Sequence, residues 1–380
     1  MKNISILGST GSIGRQTLEV VQEHNSMFNI VGLTTNTNTA ILKKQIENFK
    51  PLAVSVMDKE KADELKEEVG IEVFSGLDGL KKIASLQEAD TVVNSLVGSI
   101  GILPTIEAIR HKKDIAMANK ETLVTAGEIV MKKARKNKVN FLPIDSEHSA
   151  MLQCIKGDKK EDIRRVIITC SGGPFRNFSN EMLNNVTVKD ALNHPTWSMG
   201  AKITVDCATL MNKGFEVIET HWLYDVPYEN IEVVIHPESI VHSMVEFSDR
   251  STIAQMSLPD MKLPIQYALS YPERIANGFS SLEIAKIKTL NFSLPDFERF
   301  PCLKYAYDAA KIGGSLPAVM NAANEIAVRE FIDGKIKFSE IAEIVKSEMD
   351  LHDAIKNPEI EEIIEIDSKV KERVGENIKR

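Results

Sequence analysis

The first 145 residues alternate short apolar segments, rich in β-branched residues, with longer segments of helical periodicity. Ile4–Leu7, Ile30–Leu33 and Thr91–Leu96 have the composition of buried strands, and residues 13–21 and 41–49 have the pattern of helices. Strands that alternate with helices favour a parallel sheet covered by helices on both faces. The predicted fold class of residues 1–145 is therefore α/β with a doubly wound parallel sheet. Further strands are expected at Ala53–Met57, Asp114–Met117 and Val139–Ile144.

The pattern changes after residue 145. Strands are predicted at Arg164–Thr169, Glu232–Ile235, Ser239–Phe247 and Thr252–Met256, and no helical segment separates the last three. A run of strands without intervening helices is typical of an α+β domain rather than of a second doubly wound unit. We therefore predict a central α+β domain over residues 146–294.

Two further segments complete the predicted organisation. Residues 171–200 are rich in glycine, asparagine and proline, and this stretch is long for a loop without function. Pro295–Pro301 has the composition of a linker. Beyond it, apolar residues recur at i, i+3, i+4 and i+8 from Ala323, as on one face of a helix. Residues 295–380 are therefore predicted to hold a linker and a helical domain that serves as a scaffold.

Composition and charge exclude several classes of protein. The chain has 380 residues and carries 46 basic against 54 acidic residues, a net charge of −8. Because nucleic-acid binding normally needs a basic surplus, we expect no nucleic-acid partner, whereas a phosphorylated small molecule needs only a local cluster of donors. No apolar run approaches the ~20 residues of a membrane helix, and Met1–Gly8 is too short for a signal peptide. The four cysteines form no CxxC pair, which favours reduced thiols and a cytoplasmic protein.

The segment Gly8–Gly14, with the sequence GSTGSIG, lies between the first predicted strand and the first predicted helix. Glycines at this spacing permit a tight turn and a close approach of the backbone, and the helix N-terminus offers N–H groups to a pyrophosphate. A plain strand-to-helix turn is the alternative interpretation. The strands and helices that follow provide the context that a dinucleotide fingerprint requires. The sequence therefore predicts a Rossmann-like domain that binds a nicotinamide cofactor.

The residues after the second predicted strand bear on which nicotinamide cofactor binds. An NAD site usually has Asp or Glu there to hold the ribose 2′-OH. This chain reads TTNTNT over residues 34–39, with no acid to repel a 2′-phosphate and no Arg or Lys before Lys43 to pair with one. Hydroxyl and amide groups can still donate hydrogen bonds to a phosphate. The sequence therefore favours NADPH.

Carboxylates and a lysine also follow predicted strands. Asp145 and Glu147 lie two residues apart, so both side chains can point the same way at the strand end where ligands bind. Two such oxygen ligands suit Mg²⁺ or Mn²⁺, and a solvated helix cap is the alternative. Glu216 is a third acid that only the fold can bring to this pair. Lys120 can pair with a substrate oxygen or phosphate, or can be a surface lysine at a helix start.

The predicted loop contains three candidate site residues. Ser171 precedes two glycines after a strand, a context in which backbone N–H groups can bind an anion. His194 and Trp197 suit a lid that excludes water, and ordinary loop residues are the alternative. Lys213 has the same two interpretations as Lys120. Three further histidines fit no metal-binding spacing and are predicted to be structural, namely His148, His236 and His242.

Together these segments resemble the 1-deoxy-D-xylulose 5-phosphate reductoisomerase family of the non-mevalonate isoprenoid pathway. The most specific blocks are Pro143–Ser149 (PIDSEHS) and Met211–Glu216 (MNKGFE). The other matching segments extend nearly from end to end and are Gly8–Gly14, Ala118–Val124, Ser171–Phe175, His194–Gly200, His236–His242 and Asn321–Ala327. The resemblance implies a V-shaped homodimer. Each subunit would have an NADPH-binding domain (1–145), a catalytic and connective domain (146–294) with a lid at about 172–200, and a C-terminal helical domain (295–380).

The resemblance also implies roles for individual residues. NADPH would be bound by Thr10, Gly11, Ser12, Ile13, Asn36, Asn38, Asn119, Glu121 and Gly200. The divalent cation, Mn²⁺ or Mg²⁺ with Co²⁺ as a further candidate, would be held by Asp145, Glu147 and Glu216. The sugar phosphate would be bound by Lys120, Ser146, Glu147, Ser171, His194, Cys207, Asn212, Lys213 and Glu216. The catalytic residues would be Lys120, Glu147, His194 and Trp197, with Trp197 closing over the substrate.

Two positions depart from the family pattern. Cys207 stands where the family usually has the serine of a Val-Asp-Ser-Ala-Thr block that helps to bind phosphate, and a thiol is a weaker donor than a hydroxyl. A small core residue without ligand contact is the alternative for Cys207. Asn36, Thr37 and Asn38 stand where some members have Gly-Lys-Asn. The lysine that would meet the 2′-phosphate is missing, so a looser preference for NADPH is expected, and Thr37 is not assigned to the site.

The implied activity is the metal-dependent rearrangement of 1-deoxy-D-xylulose 5-phosphate and its reduction by NADPH to 2-C-methyl-D-erythritol 4-phosphate. A simpler NAD(P)-dependent oxidoreductase of a phosphorylated sugar is the alternative. It would need the glycine loop and Lys120 but no converging carboxylates, so strict metal dependence separates the two. A non-catalytic dinucleotide sensor would need neither Asp145, Glu147 and Glu216 nor a lid, and the intact set of carboxylates argues against it.

Overall fold

The computed structural model describes residues 1–197 and 199–379. The chain divides into two compact units. The first unit comprises Met1–Thr122, Val130–Ser149 and Asp260–Phe279, and the second comprises Leu123–Ile129, Ala150–Pro259 and Ser280–Arg380. The first unit thus contains most of the predicted cofactor domain together with residues 260–279 from the predicted central region. The division into three domains stays a prediction.

The strands of the described residues form two sheets. They are β1 (Lys2–Leu7), β2 (Phe28–Thr35), β3 (Ala53–Val56), β4 (Glu72–Ser75), β5 (Thr91–Asn94), β6 (Asp114–Met117), β7 (Phe141–Pro143), β8 (Ile163–Cys170), β9 (Ile231–Ile235), β10 (Val241–Phe247) and β11 (Thr252–Met256). A seven-stranded sheet in the first unit has the order β4-β3-β2-β1-β5-β6-β7, and a four-stranded sheet in the second has the order β11-β10-β8-β9.

The α-helices of the described residues lie throughout both units. They are α1 (Ser12–Glu23), α2 (Thr39–Phe49), α3 (Lys59–Glu68), α4 (Gly76–Ala84), α5 (Ile102–Arg110), α6 (Lys120–Asn137), α7 (Ser146–Cys154), α8 (Asn180–Leu183), α9 (Val188–Leu192), α10 (Ala201–Ala208), α11 (Met211–Tyr224), α12 (Lys262–Ser270), α13 (Ile284–Ile287), α14 (Pro301–Ile312), α15 (Leu316–Ile332), α16 (Phe338–Asp350) and α17 (Ile360–Ile378). None of these described helices is long and apolar enough to cross a membrane.

The sheet of the first unit has the predicted doubly wound topology. Every neighbouring pair is parallel, and the strand order reverses between β1 and β5. In β1 both Ile4 and Ser5 are fully buried, as expected where helices cover both faces of a parallel sheet. Strand β4 was not predicted, because Glu72 is exposed, the rest of this edge strand is only half-buried and no apolar run marks it.

The sheet of the second unit confirms the α+β prediction. Strand β10 is antiparallel to both β8 and β11, and no α-helix lies between β9 and β11 in the chain. Strands β8 and β9 are parallel, and the connection between them carries the short helices α8 and α9 and the longer helices α10 and α11. A parallel pair needs such a crossover, so the stretch after Ser171 serves the topology of this sheet.

The last quarter of the chain is helical, as predicted. Helix α15 packs against α16 and α17, and its apolar residues are almost all buried. The ring of Phe338 contacts Phe331 and Phe175, with ring centroids 5.8 Å and 5.0 Å apart. Phe175 belongs to the stretch expected as a loop, so its buried ring fastens the start of that stretch to the core of the second unit.

The stretch 171–200 is not a loop throughout, which corrects the sequence-based expectation. Helices α8 and α9 lie within it. Ser179 caps α8 by accepting a hydrogen bond from the Met182 N–H, and Thr187 and Asp190 form a capping box at the start of α9. Short helices stabilised by caps have no apolar periodicity, so the composition alone indicated a loop. Ser198, near the end of the expected lid, lies outside the described residues.

Candidate active site

The glycine segment lies where the strand order of the first sheet reverses. Gly8 follows β1 with φ of +85°, and a Cβ there would lie 2.9 Å from the carbonyl oxygen of Ser95, which follows β5. A Cβ on Gly14 would lie 2.3 Å from the Gly8 carbonyl oxygen and 2.5 Å from Ser9 Cα. Only glycine fits at these two positions, so the helix can begin directly against the strand. In open α/β sheets ligands bind at this reversal point.

The other residues of this segment offer hydroxyl groups and helix N–H groups and no acidic side chain. Gly11 is the N-cap of α1, whose first turn has no acidic side chain. The Thr10 hydroxyl lies 2.7 Å from the Thr35 hydroxyl, and Ser12 accepts a weak hydrogen bond from Gln16. The free N–H groups from Ser12 and Ile13 onward, together with the helix dipole, favour negative charge here. The geometry thus suits the pyrophosphate that the sequence predicts.

The loop after β2 contains Asn36 and Asn38, both exposed. Asn38 caps α2, with its Oδ1 accepting a hydrogen bond of 3.1 Å from the Ile41 N–H. The carbonyl oxygen of Thr37 accepts a hydrogen bond of 3.3 Å from the ammonium group of Lys61 in α3. Lys61 was not predicted to belong to the site.

Asn119 and Glu121 are buried at the start of α6. The Asn119 amide donates to the carbonyl oxygens of Leu96 and Gly98, at 3.0 Å each, and to Glu121 at 2.9 Å. Its own oxygen accepts a hydrogen bond from the Thr122 N–H. Asn119 therefore fastens the loop after β5 to α6. Direct cofactor contacts of Asn119 and Glu121 stay predictions.

Lys120 and Asp145 meet because they follow the adjacent parallel strands β6 and β7. The Lys120 ammonium lies 2.6 Å from Asp145 Oδ2, and His148 Nδ1 lies 3.2 Å from the same oxygen. Burial alone would raise the pKa of the Asp145 carboxyl, but the charge of Lys120 and the hydrogen bond from His148 outweigh it and hold this pKa well below its usual range. Asp145 is therefore ionised at neutral pH.

Glu147 offers a second carboxylate beside the first. One Glu147 carboxylate oxygen lies within 4.8 Å of an Asp145 carboxylate oxygen. The Ser146 hydroxyl donates a hydrogen bond of 2.6 Å to Glu147 Oε2. Two carboxylate oxygens at this separation can hold one cation between them. The donors Asp145 and Glu147 are of the kind that Mg²⁺ and Mn²⁺ bind.

Glu216, Asn212 and Lys213 form a polar cluster on α11 in the second unit. Glu216 follows Asn212 by four residues and Lys213 by three, so both side chains can reach it on the helix surface. Asn212 donates a hydrogen bond of 2.7 Å to one Glu216 oxygen, and the Lys213 ammonium pairs with the other. All three residues are buried, and Asn212 Oδ1 has no hydrogen-bond partner within the part of the chain that the structure describes. A buried orphan acceptor suits the hydroxyl group of a ligand.

Ser171 and His194 contact each other across the start of the predicted lid. The Ser171 hydroxyl lies 2.9 Å from His194 Nε2 and accepts a hydrogen bond from the Gly173 N–H. His194 Nδ1 accepts from the N–H groups of Thr196 and Trp197 at 3.2 Å and 3.0 Å. His194 is therefore neutral with its proton on Nε2, which donates to Ser171. The hydroxyl proton of Ser171 is then available to donate to a ligand.

Arg176 adds positive charge to this part of the site. Its stem lies beside Gly172, since a Cβ on that glycine would be 3.1 Å from Arg176 Cβ. Burial and, to a smaller extent, the charge of Arg176 lower the pKa of His194 below its ordinary value. Among the described residues the Arg176 guanidinium has no hydrogen bond or ion pair.

The remaining predicted residues also lie in the second unit. Gly173 has φ of +69°, and a Cβ on it would lie 2.6 Å from the carbonyl oxygen of Cys207, so only glycine lets the turn approach α10. Trp197 is half-buried, with its ring 6.3 Å from that of His242. Gly200 is the exposed N-cap of α10. The ligand roles of Cys207, Trp197 and Gly200 stay predictions.

Comparison with known proteins identifies the family. The sequence matches the profile "1-deoxy-D-xylulose 5-phosphate reductoisomerase" over residues 4–127, and two C-terminal domain profiles of the same enzyme over residues 141–224 and 256–373. The reductoisomerase of Chlorobium chlorochromatii is 55% identical over 97% of each chain, and that of Caldanaerobacter subterraneus is 54% identical over 98% of each.

The chain belongs to the 1-deoxy-D-xylulose 5-phosphate reductoisomerase family. Solved members have the same fold. A reductoisomerase in complex with NADPH, fosmidomycin and magnesium has a TM-score of 0.96 and 39% identity, covering 100% of this chain and 98% of that one. The Zymomonas mobilis enzyme in complex with NADPH has a TM-score of 0.92 and 38% identity, covering 99% of each chain. The resemblance found in the sequence is thereby confirmed.

Three residues that lie near proposed site residues of this chain were not predicted from the sequence to belong to the site. His148, interpreted as structural, contacts the candidate metal ligand Asp145, and its position three residues later on the first turn of α7 was a usable signal. Arg176 also had a signal, since it follows the two glycines closely. Lys61 had none, because it reaches Thr37 from 24 residues further along the chain.

Proposed function

We propose that this chain catalyses the NADPH- and divalent-cation-dependent rearrangement and reduction of 1-deoxy-D-xylulose 5-phosphate to 2-C-methyl-D-erythritol 4-phosphate. The observation that carries the proposal is the end-to-end match to enzymes of this name, at 55% identity over 97% of the chain for the Chlorobium relative. The polar residues described above supply the chemistry that the reaction needs.

For the cofactor, we propose that the turn Gly8–Gly14 and the N-terminus of α1 hold the pyrophosphate of NADPH. The proposal is supported by the close approach of α1 to the end of β1, which only glycine at position 14 permits, and by the absence of acid from the first turn of α1. Asn36 and Asn38 would lie toward the ribose phosphate. Glu121 and Gly200 complete the proposed set, with Asn119 holding the neighbouring loop.

For the cation, we propose Asp145, Glu147 and Glu216 as ligands of Mg²⁺, Mn²⁺ or Co²⁺. The lowered pKa of Asp145 supports this, because a metal ligand must be deprotonated. The buried Glu216 carboxylate contacts the Lys213 ammonium, which offsets part of the cost of burying a charge there. His148 acts on Asp145 as a positioning residue, since its ring fixes the orientation of that carboxylate.

For the substrate, we propose that Ser171, His194 and Lys213 anchor the phosphate, together with Ser146, Cys207 and Asn212. The Ser171 hydroxyl, oriented by the hydrogen bond from His194, and the Lys213 ammonium group suit a phosphate dianion, and the unpaired guanidinium of Arg176 adds attraction. Anchoring at this remote end places the reacting carbons without taking part in bond changes.

The chemical step follows from these placements. When bound, the cation supplies Lewis acidity toward the carbonyl and hydroxyl oxygens of the sugar, and NADPH supplies the hydride. Lys120 donates a hydrogen bond to Asp145, and its ammonium group can also donate one to a substrate oxygen. Trp197 and the stretch 171–200 exclude water from the reactive aldehyde by closing over it. Lys120, Glu147, His194 and Trp197 thus remain the proposed catalytic residues.

The test is to follow NADPH oxidation at 340 nm with 1-deoxy-D-xylulose 5-phosphate, with Mn²⁺ or Mg²⁺ and with chelator. We expect oxidation only with metal, and a branched product in the NMR spectrum. Oxidation that persists in chelator and gives an unbranched polyol would instead establish the simpler sugar-phosphate oxidoreductase. No oxidation with any metal would refute the reductoisomerase activity, and the simpler oxidoreductase would then be tested by a screen of other sugar phosphates.

We further propose a homodimer in the cytoplasm. Strand β11 is an edge of the four-stranded sheet, and Ile253 on it is 45% exposed, so a second copy can pair with this edge. None of the four cysteines, all within the described residues, forms a disulfide, which suits a reducing compartment. Light scattering of the wild type and of the variant Ile253→Lys tests the assembly. We expect a dimer for the wild type and a weakened dimer for the variant.

A further inference from the structure

The loop after β2 lacks the cationic side chain expected at the 2′-phosphate of NADPH. Residues 36–38 are Asn-Thr-Asn, without Lys or Arg. In the structure a cation reaches the same loop from another helix. The Lys61 ammonium in the first turn of α3 donates a hydrogen bond of 3.3 Å to the carbonyl oxygen of Thr37. Lys61, which is distant along the chain, therefore supplies beside this loop the positive charge that residues 36–38 lack.

Backbone contacts fix this approach. The N–H of Met57 donates to the Thr35 carbonyl at 2.9 Å, and the N–H of Asp58 donates to the Asn36 carbonyl at 3.2 Å. Asp58 then caps α3 by accepting a hydrogen bond from the Lys61 N–H. The start of α3 is thus joined to the loop by two hydrogen bonds, and Lys61 stands one helical turn away from them.

The charge of Lys61 is available to a ligand. Its ammonium group has three donors, and Thr37 takes only one of them. Within the described residues Lys61 has no acidic partner, whereas Lys43, the nearest lysine along α2, is paired with Glu68. The Asp58 carboxylate is occupied by capping. Two donors and a full positive charge therefore remain at the loop where a Rossmann-like fold places the 2′ position of the ribose.

We propose that Lys61 recognises the 2′-phosphate of NADPH and replaces the lysine missing from the loop. The inference rests on the proposed cofactor site. It predicts that the chain keeps a preference for NADPH over NADH, contrary to the looser preference expected from residues 36–38 alone. Asn36 and Asn38 would add amide donors on either side of the phosphate.

The test compares Lys61→Met with Lys59→Met. Lys59 is exposed in the first turn of the same helix, so the control makes the same charge change without removing the contact. Fluorescence titration measures the Kd of NADPH and of NADH for each protein. Competition with 2′-AMP and with 5′-AMP isolates the contribution of the 2′-phosphate to binding. We expect Lys61→Met to weaken NADPH and 2′-AMP binding about 10- to 100-fold, as for loss of a charge-assisted hydrogen bond. NADH and 5′-AMP should stay within about twofold of the wild type.

Other outcomes have distinct meanings. If Lys61→Met leaves the ratio of the NADPH and NADH constants unchanged, or weakens both nucleotides equally, the inference is overturned and Lys61 only supports the loop. If Lys59→Met matches Lys61→Met, the effect is general electrostatics and the inference also fails. A wild-type protein that binds neither nucleotide would refute the proposed cofactor site itself. Lys61→Arg keeps the charge and should retain most of the discrimination.

Discussion

The two regions that we propose for binding the phosphate groups of cofactor and substrate are built in opposite ways. In the first unit the anion site is the continuous turn Gly8–Gly14, which works through backbone N–H groups and through the absence of side chains. In the second unit the site uses the side chains of Ser171, His194 and Lys213, and the first two alone are 23 residues apart. The first site is therefore limited by steric fit, and the second by hydrogen bonds and charge.

This difference predicts different sensitivities to mutation. Adding one methyl group should disable the first site, whereas the second should tolerate changes of shape and respond to changes of polarity. The predictions below test that contrast, beginning with the largest expected effect.

Glu216→Gln removes a proposed metal ligand while keeping the size of the side chain. Because Lewis acidity is worth several kcal/mol in the transition state, we expect kcat to fall about 1000-fold with NADPH affinity unchanged. Steady-state kinetics and fluorescence titration measure the two quantities. Glu229→Gln, at an exposed position, is the control and should resemble the wild type. Wild-type turnover in Glu216→Gln would refute its ligand role.

Gly14→Ala tests the steric limit of the first site. The new Cβ would lie 2.3 Å from the Gly8 carbonyl oxygen, so the turn must open. We expect the Kd of NADPH to rise about 100-fold, since the N–H groups lose their alignment. Gly70→Ala makes the same chemical change where nothing lies within 4 Å and should bind NADPH normally. Equal affinities of the two variants would show that the turn is not the binding site.

Ser171→Ala tests the polar site without a change of charge. The hydroxyl group is buried and, by our assignment, donates to the substrate, so we expect KM for the sugar phosphate to rise about tenfold. NADPH affinity should not change. Ser280→Ala, at an exposed position in the same unit, provides the control. A rise in the NADPH Kd instead of KM would contradict the assignment of Ser171 to the substrate.

The lowered pKa of His194 leads us to expect that stability depends on pH. Its folded-state pKa is lowered by burial and by Arg176, so below the ordinary His pKa the unfolded chain binds a proton that the folded chain does not. Stability is therefore full above pH ~6.5 and falls as the pH drops toward the lowered pKa. Comparing Tm at pH 7.5 and 5.5, we expect His194→Gln to lose about 1–2 °C less than the wild type. Equal losses would mean that His194 does not carry this linkage.

The same contrast explains how much of the molecule was predictable. The parallel sheet follows from short runs such as Ile4–Leu7, which are buried on both faces, and the glycine turn follows from seven consecutive residues. The cluster on α11 could be recognised only through the family resemblance, although Glu216 follows Asn212 and Lys213 at the helical spacings of four and three residues. The contact of Lys61 with Thr37 could not be predicted, because it depends on how the turns after β2 and β3 hydrogen-bond to each other.

The smallest expected effect comes from Cys207→Ser, which restores the residue usual in the family. The carbonyl oxygen of Cys207 lies against Gly173, so residue 207 stands beside the turn that begins at Ser171. Because a hydroxyl is a stronger donor than a thiol, we expect KM for the sugar phosphate to fall about two- to fivefold. Cys207→Ala removes the donor and should not lower KM. An unchanged or higher KM in Cys207→Ser would show that residue 207 packs in the core without touching the substrate, and that the second site needs fewer donors than proposed.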